Sequence, residues 1–170
     1  HWLALGLDQK SVGFSPKPFD PDENKRTDPR VVDPALKEGA LLTNVFNRLA
    51  RSCFYEAQKS FDGMMPLGAP SERCVEETMK ILERYEDIMQ RVELHSMMSA
   101  MDEFIRFSQK WWADGIKAAD TADDNEARRQ VLLDSFYLLR ICTLLMHPAV
   151  PMCTELIAEY LNIDSARLFS

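Results

Sequence analysis

The sequence predicts an all-α protein, a bundle of four to five helices, on three observations. Apolar residues recur at helical spacing in successive stretches, and no stretch alternates with period two. Proline, glycine and capping residues punctuate the ends of those stretches. The 170 residues, 46% hydrophobic and 28% charged, suffice for one domain with a core of its own.

Residues 1–34 read as an irregular leading segment. Five prolines and a dense mix of charges fill the stretch from Phe14 to Pro34, where missing donors and fixed φ oppose regular structure. His1 to Leu7 holds neither a start methionine nor the charged region of a signal peptide. The expectation is the C-terminal part of a longer protein, with an upstream region missing. The bundle is expected over 35–163 and a short tail over 164–170.

The first helix is expected to start at Asp33 as cap, with Pro34 at its first position, where a missing N–H is harmless. Its apolar stripe is 41, 42, 45, 46, 49, 50, 53, 54 and 57, and it should stop near Phe61, before Asp62-Gly63. Met64 to Pro70 reads as a loop, and Ser71 as the next cap. The second stripe is Val75, Met79, Leu82, Tyr85, Ile88, Met89 and Val92, with a break near 91–94. The third is Met97, Met98, Met101, Phe104, Ile105, Phe107 and Trp111, loosening at Gly115 and again at the acidic 120–124 run. A fourth helix should begin near Asp123 or Asp124 and run to about Met146. Pro148 and Pro151 bracket a turn before a last helix over 151–162.

Several functions are excluded by what is missing. No run approaches the roughly 18 apolar residues of a membrane span, so no membrane partner is expected. Cys53, Cys74, Cys142 and Cys153 form no CxxC pair and have no histidine at ligand spacing, so no metal is expected. They read as buried thiols in a reducing intracellular compartment, cytoplasmic or mitochondrial. No local catalytic triad, Glu-x-x-His pair or phosphate-cradling glycine loop is visible, so no catalytic residue and no cofactor are assigned within these residues. Net charge is −7, unevenly spread. Residues 1–70 balance nine Lys/Arg against nine Asp/Glu, whereas residues 71–170 hold eleven against eighteen. A broadly basic nucleic-acid surface is excluded, and any RNA contact must be a local patch.

Two clusters suit such a patch. Asn44, Asn47, Arg48 and Arg51 recur at i, i+3, i+4 and i+7 and so share one helix face. Amides offer donors and acceptors to base edges, and guanidiniums offer planar forks to phosphate and a stacking plane. The plainer reading is a solvated or interhelical polar face. Trp111 and Trp112 point about 100° apart on a helix, so one of them should reach the bundle edge and stack on an unpaired base. The plainer reading puts Trp111 in the core and Trp112 at the rim. Lys110 and Lys117 flank the pair and suit phosphate. Met97, Met98 and Met101 read as core filling.

Three segments together resemble the C-terminal anticodon-binding domain of methionyl-tRNA synthetases. Thr43-Asn44-Val45-Phe46-Asn47-Arg48 is similar to the family's Gly-Asn-x-x-Asn-Arg signature, and Phe61-Asp62-Gly63-Met64-Met65-Pro66 to its Phe-Asp-Gly-x-x-Pro turn. Residues 92–112 look like its third long helix, with Gln109-Lys110-Trp111 where Asn-Lys-Tyr is usual. Leu144 to Ile157 is similar to its Leu-x-Pro-x-x-Pro turn and last helix. The resemblance covers 35–163. It implies a class I synthetase helical bundle whose partner is a tRNA anticodon stem-loop, contacted through Asn44, Asn47, Arg48, Arg51, Lys110, Trp111 and Trp112. The implied parent enzyme ligates methionine to tRNA with ATP. The family's two ATP-site motifs are absent here, so that chemistry would belong to the missing upstream catalytic domain. Thr43 replaces the glycine, and no Pro-Trp follows Trp111-Trp112. That departure and the acidic second half support an alternative: a synthetase-derived helical module serving as a protein–protein or ribonucleoprotein assembly subunit.

Overall fold

The computed structural model describes residues 41–164, and the described chain is all α-helix and connecting turns, a helical bundle. The leading segment with Asp33 and Pro34, the expected bundle residues 35–40 and the last six residues lie outside the described residues. A π-helical turn, Leu41–Phe46, leads into α1 (Asn47–Ser60). Then come α2 (Glu72–Gln90), α3 (Leu94–Ala122), α4 (Asn125–Met146) and α5 (Pro151–Tyr160).

The centre is the antiparallel α3–α4 hairpin. Asp123, in the left-handed region at φ 50°, ends α3, and the Asp124 carboxylate caps α4 by accepting from the Glu126 and Ala127 N–H groups at 2.9 and 3.0 Å. Two residues thus reverse the chain between helices of 29 and 22 residues. The helix does not loosen at Gly115, as its sequence suggests. A Cβ there would lie 2.8 Å from Val131 Cγ2, so the missing side chain lets α3 pack closely on Val131 of α4. Packing outweighs its propensity cost of about 1 kcal/mol.

Helix α4 is the most deeply buried element. Leu132, Leu133, Phe136, Leu138, Leu139, Cys142, Leu145 and Met146 are all core residues. Fully burying such a side chain contributes about 1.5–3 kcal/mol. Met97, Ala100, Met101, Phe104, Ile105 and Trp112 face them from α3. Met97 and Met101 fill the core as expected.

Helices α1 and α2 each pack on both α3 and α4, with little contact between themselves, and so occupy opposite flanks of the hairpin. The α1 stripe buries Phe46, Leu49, Ala50, Cys53 and Ala57, as its periodicity predicts. The helix ends at Phe61, with Asp62 and Gly63 in the left-handed region. On the other flank the sequence-predicted stripe needs correction. Met79 and Val92 are exposed, and the core line of α2 is Cys74, Thr78, Ile81, Tyr85 and Ile88. Thr78 is buried without penalty because its hydroxyl donates to the Cys74 carbonyl at 2.8 Å. Ser71 caps α2 by accepting from the Cys74 N–H at 3.3 Å. Helix α2 ends at Gln90, just before the expected break near 91–94, and Val92 turns the chain with φ 57°. Pro151 opens α5, which packs on α4 and buries Thr154, Ile157 and Ala158.

Candidate nucleic-acid interface

Asn44, Asn47, Arg48 and Arg51 come together as their spacing predicts. All four are exposed on the π-helical turn and α1, on the side away from the Leu49–Cys53 core line. They form one wall of an open groove of about 870 Å³. The other wall is α5, through Cys153, Leu156, Ile157 and Tyr160. Among the described residues no aspartate or glutamate lines this groove, in a chain with a net charge of −7. Among the described residues neither Arg48 nor Arg51 forms an ion pair, so both guanidiniums remain available to an anion.

A second depression, of about 810 Å³, runs along the outer side of α5 and has the opposite character. Glu155, Glu159 and Asp164 line it together with Met152, Leu156 and Ile163. Phosphate would be repelled there.

The tryptophan cluster divides differently from expectation. Trp112 is 7% exposed and belongs to the core. Its burial removes it from any surface on which a base could stack. Trp111 is the half-buried edge residue, so the expected assignment of core and rim is reversed. The Arg73 guanidinium lies 5.2 Å from its ring centroid, and Phe107 lies 5.6 Å away at 54°. The cation covers part of the indole and joins α3 to the start of α2. Lys110 and Lys117 are exposed on the same helix. Trp111 and Lys110 therefore belong to the α2 flank, and the asparagine–arginine groove belongs to the α1–α5 flank. The seven candidate residues form a group of four, a separate pair and one core residue.

Tyr55, Gln58 and Tyr160, which are not among the residues expected from the sequence, also line the groove. Tyr55 and Gln58 continue the same helix face at i+4 and i+7 from Arg51, so that signal was present. Tyr160 sits on α5, and only the fold brings it opposite α1.

The four cysteines are free thiols. Burial pushes the Cys142 thiol up to about 12 and, aided by the nearby Asp134 carboxylate, the Cys74 thiol up to about 12. Burial also holds Cys53 far above the ordinary thiol value and raises Cys153. Such thiols are inert as nucleophiles near neutral pH. Among the described residues no cluster of His, Cys, Asp and Glu is arranged to hold a metal ion. No helix among them is long and apolar enough to cross a membrane. No protein-family model matches this sequence, and no curated protein matches it significantly.

Proposed function

We propose that this bundle binds the anticodon loop of a tRNA, as the RNA-reading end of a methionyl-tRNA synthetase. The ATP-dependent joining of methionine to tRNA would take place in a catalytic region outside these residues. One observation carries the reading: a groove lined by Asn44, Asn47, Arg48 and Arg51, with no carboxylate among its described lining residues, on a chain of net charge −7. Arg48 and Arg51 supply charge for loop phosphates and planar faces for unpaired bases. Asn44 and Asn47 supply both donor and acceptor to base edges, the pairing that discriminates one base from another. The choice of family and of methionine rests on the resemblance of the sequence motifs alone.

The test is the affinity for initiator and elongator methionine tRNAs across a salt series, with an anticodon-swapped tRNA as control. Cognate binding should exceed the swapped control. Arg48→Ala and Arg51→Ala should each weaken it about tenfold and flatten the salt dependence. Equal affinity for both tRNAs, or none, would refute the reading.

A second reading has its own observation. The outer side of α5 exposes Met152 (85%) and Leu156 (49%) beside Glu155 and Glu159. An acidic and apolar surface of this kind suits a basic, amphipathic protein segment. In that reading the bundle is a synthetase-derived assembly module, and tRNA binding blind to the anticodon would favour it.

A further inference from the structure

We infer that Tyr55 and Tyr160 are the stacking platforms of the groove, each receiving one unpaired base of the bound loop. The inference rests on the RNA reading above. Both rings line the groove, one on each wall, and each is 67% exposed. A tyrosine contributes little to the bundle at that exposure, so neither ring is explained by core packing.

Tyr160 is held ready for this role. Its centroid lies 6.2 Å from Phe54 at an interplanar angle of 73°, and Phe54 lies 5.7 Å from Phe136 at 69°. This relay of edge-to-face contacts runs from the buried α4 core to the groove surface and fixes the ring without covering it. Whichever ring of the Phe54–Tyr160 pair supplies the edge, at least one face of Tyr160 stays clear of Phe54. Tyr55 has no ring partner among the described residues and presents its ring beside Arg51 on the same wall.

The occupant follows from charge and shape together. Two tyrosine rings and two guanidiniums line the groove together, and among the described residues the guanidiniums have no ion-pair partner and no carboxylate joins the lining. A single-stranded loop presents that pattern in reverse: flat bases separated by phosphates. A base-paired stem hides its bases and would engage only the arginines.

The experiment compares the chain with its Tyr55→Leu, Tyr160→Leu, Tyr55→Phe and Tyr160→Phe variants. Two RNAs serve as probes: a methionine anticodon stem-loop, and a fully paired duplex containing the same stem. Each leucine variant should bind the stem-loop about tenfold more weakly, the usual scale for losing one base–aromatic stack. Each phenylalanine variant should stay within about twofold, because the ring and not the hydroxyl does the stacking. Affinity for the duplex should not change. Thermal unfolding should be close to that of the parent, since both positions are exposed.

Stem-loop binding by the parent with undiminished binding by both leucine variants would overturn the stacking role and leave the RNA reading intact. A loss as large in Tyr160→Phe as in Tyr160→Leu would also overturn it, in favour of a hydroxyl contact. Failure of the parent to bind the stem-loop at all would overturn both.

Discussion

The Asp134 carboxylate accepts two hydrogen bonds from one residue, Ser71, whose backbone N–H and hydroxyl each lie 2.7 Å from a different carboxylate oxygen. Ser71 is also the cap of α2, so its Oγ accepts from Cys74 while donating to Asp134. Gln130 adds a third donor to Asp134 at 3.0 Å and also donates to the Ala69 carbonyl at 3.1 Å. This cluster fixes where α2 starts against the middle of α4. Ser71→Ala should cost about 1–2 kcal/mol through the lost cap and the lost charged hydrogen bond. Asp134→Ala should cost more, about 2–4 kcal/mol, because it leaves several donors unpaired at a buried site. Asp134→Asn should fall between the parent and Asp134→Ala. Urea midpoints for the three variants check the order.

Gly115 should resist substitution although it lies within a helix. Gly115→Ala gains helix propensity of about 1 kcal/mol but drives a Cβ to within 2.8 Å of Val131. A β-branched neighbour gives way poorly, so a net loss of about 1–3 kcal/mol is expected. Shortening the neighbour should relieve the clash. In a Val131→Ala background the same substitution should cost less, and a double-mutant cycle reads that coupling directly.

Val92 sits at φ 57° with its side chain 69% exposed. A β-branched residue in the left-handed region is strained by about 1–2 kcal/mol. Val92→Gly should therefore stabilise the fold by about 0.5–1 kcal/mol, once the extra entropy of a glycine in the unfolded chain is subtracted. A lower denaturation midpoint in Val92→Gly would show that the turn is not strained.

Alkaline pH should weaken the fold through its thiols. Cys74 and Cys142 titrate at about 12 in the folded chain against 9.0 when exposed. A value raised in the folded state means that the stabilisation is whole below about pH 9 and drains away as pH climbs toward 12. Urea midpoints should fall from about pH 9 upward. Cys142→Ala should flatten that fall while lowering stability at neutral pH by the cavity it leaves. An unchanged slope would place the alkaline weakening on other groups.

The sequence by itself determined what depends on near neighbours along the chain. Ser71, Asp124 and Pro151 mark helix starts by local capping and backbone chemistry. The α1 stripe and its trailing Asp62-Gly63 turn follow from a 3.6-residue period and a left-handed stop. The same period placed Asn44, Asn47, Arg48 and Arg51 on one face. Helical periodicity fixes each face only relative to its own helix, and the rotation against neighbours is set by packing. Tertiary structure alone therefore decided that Trp112, not Trp111, is buried, and that α2 turns Thr78 inward and Met79 outward. It made Gly115, where loosening is expected, a point of close packing against Val131 of α4. It also set Tyr160 across from Tyr55, because burying Ile157 and Ala158 against the bundle leaves the end of α5 facing α1.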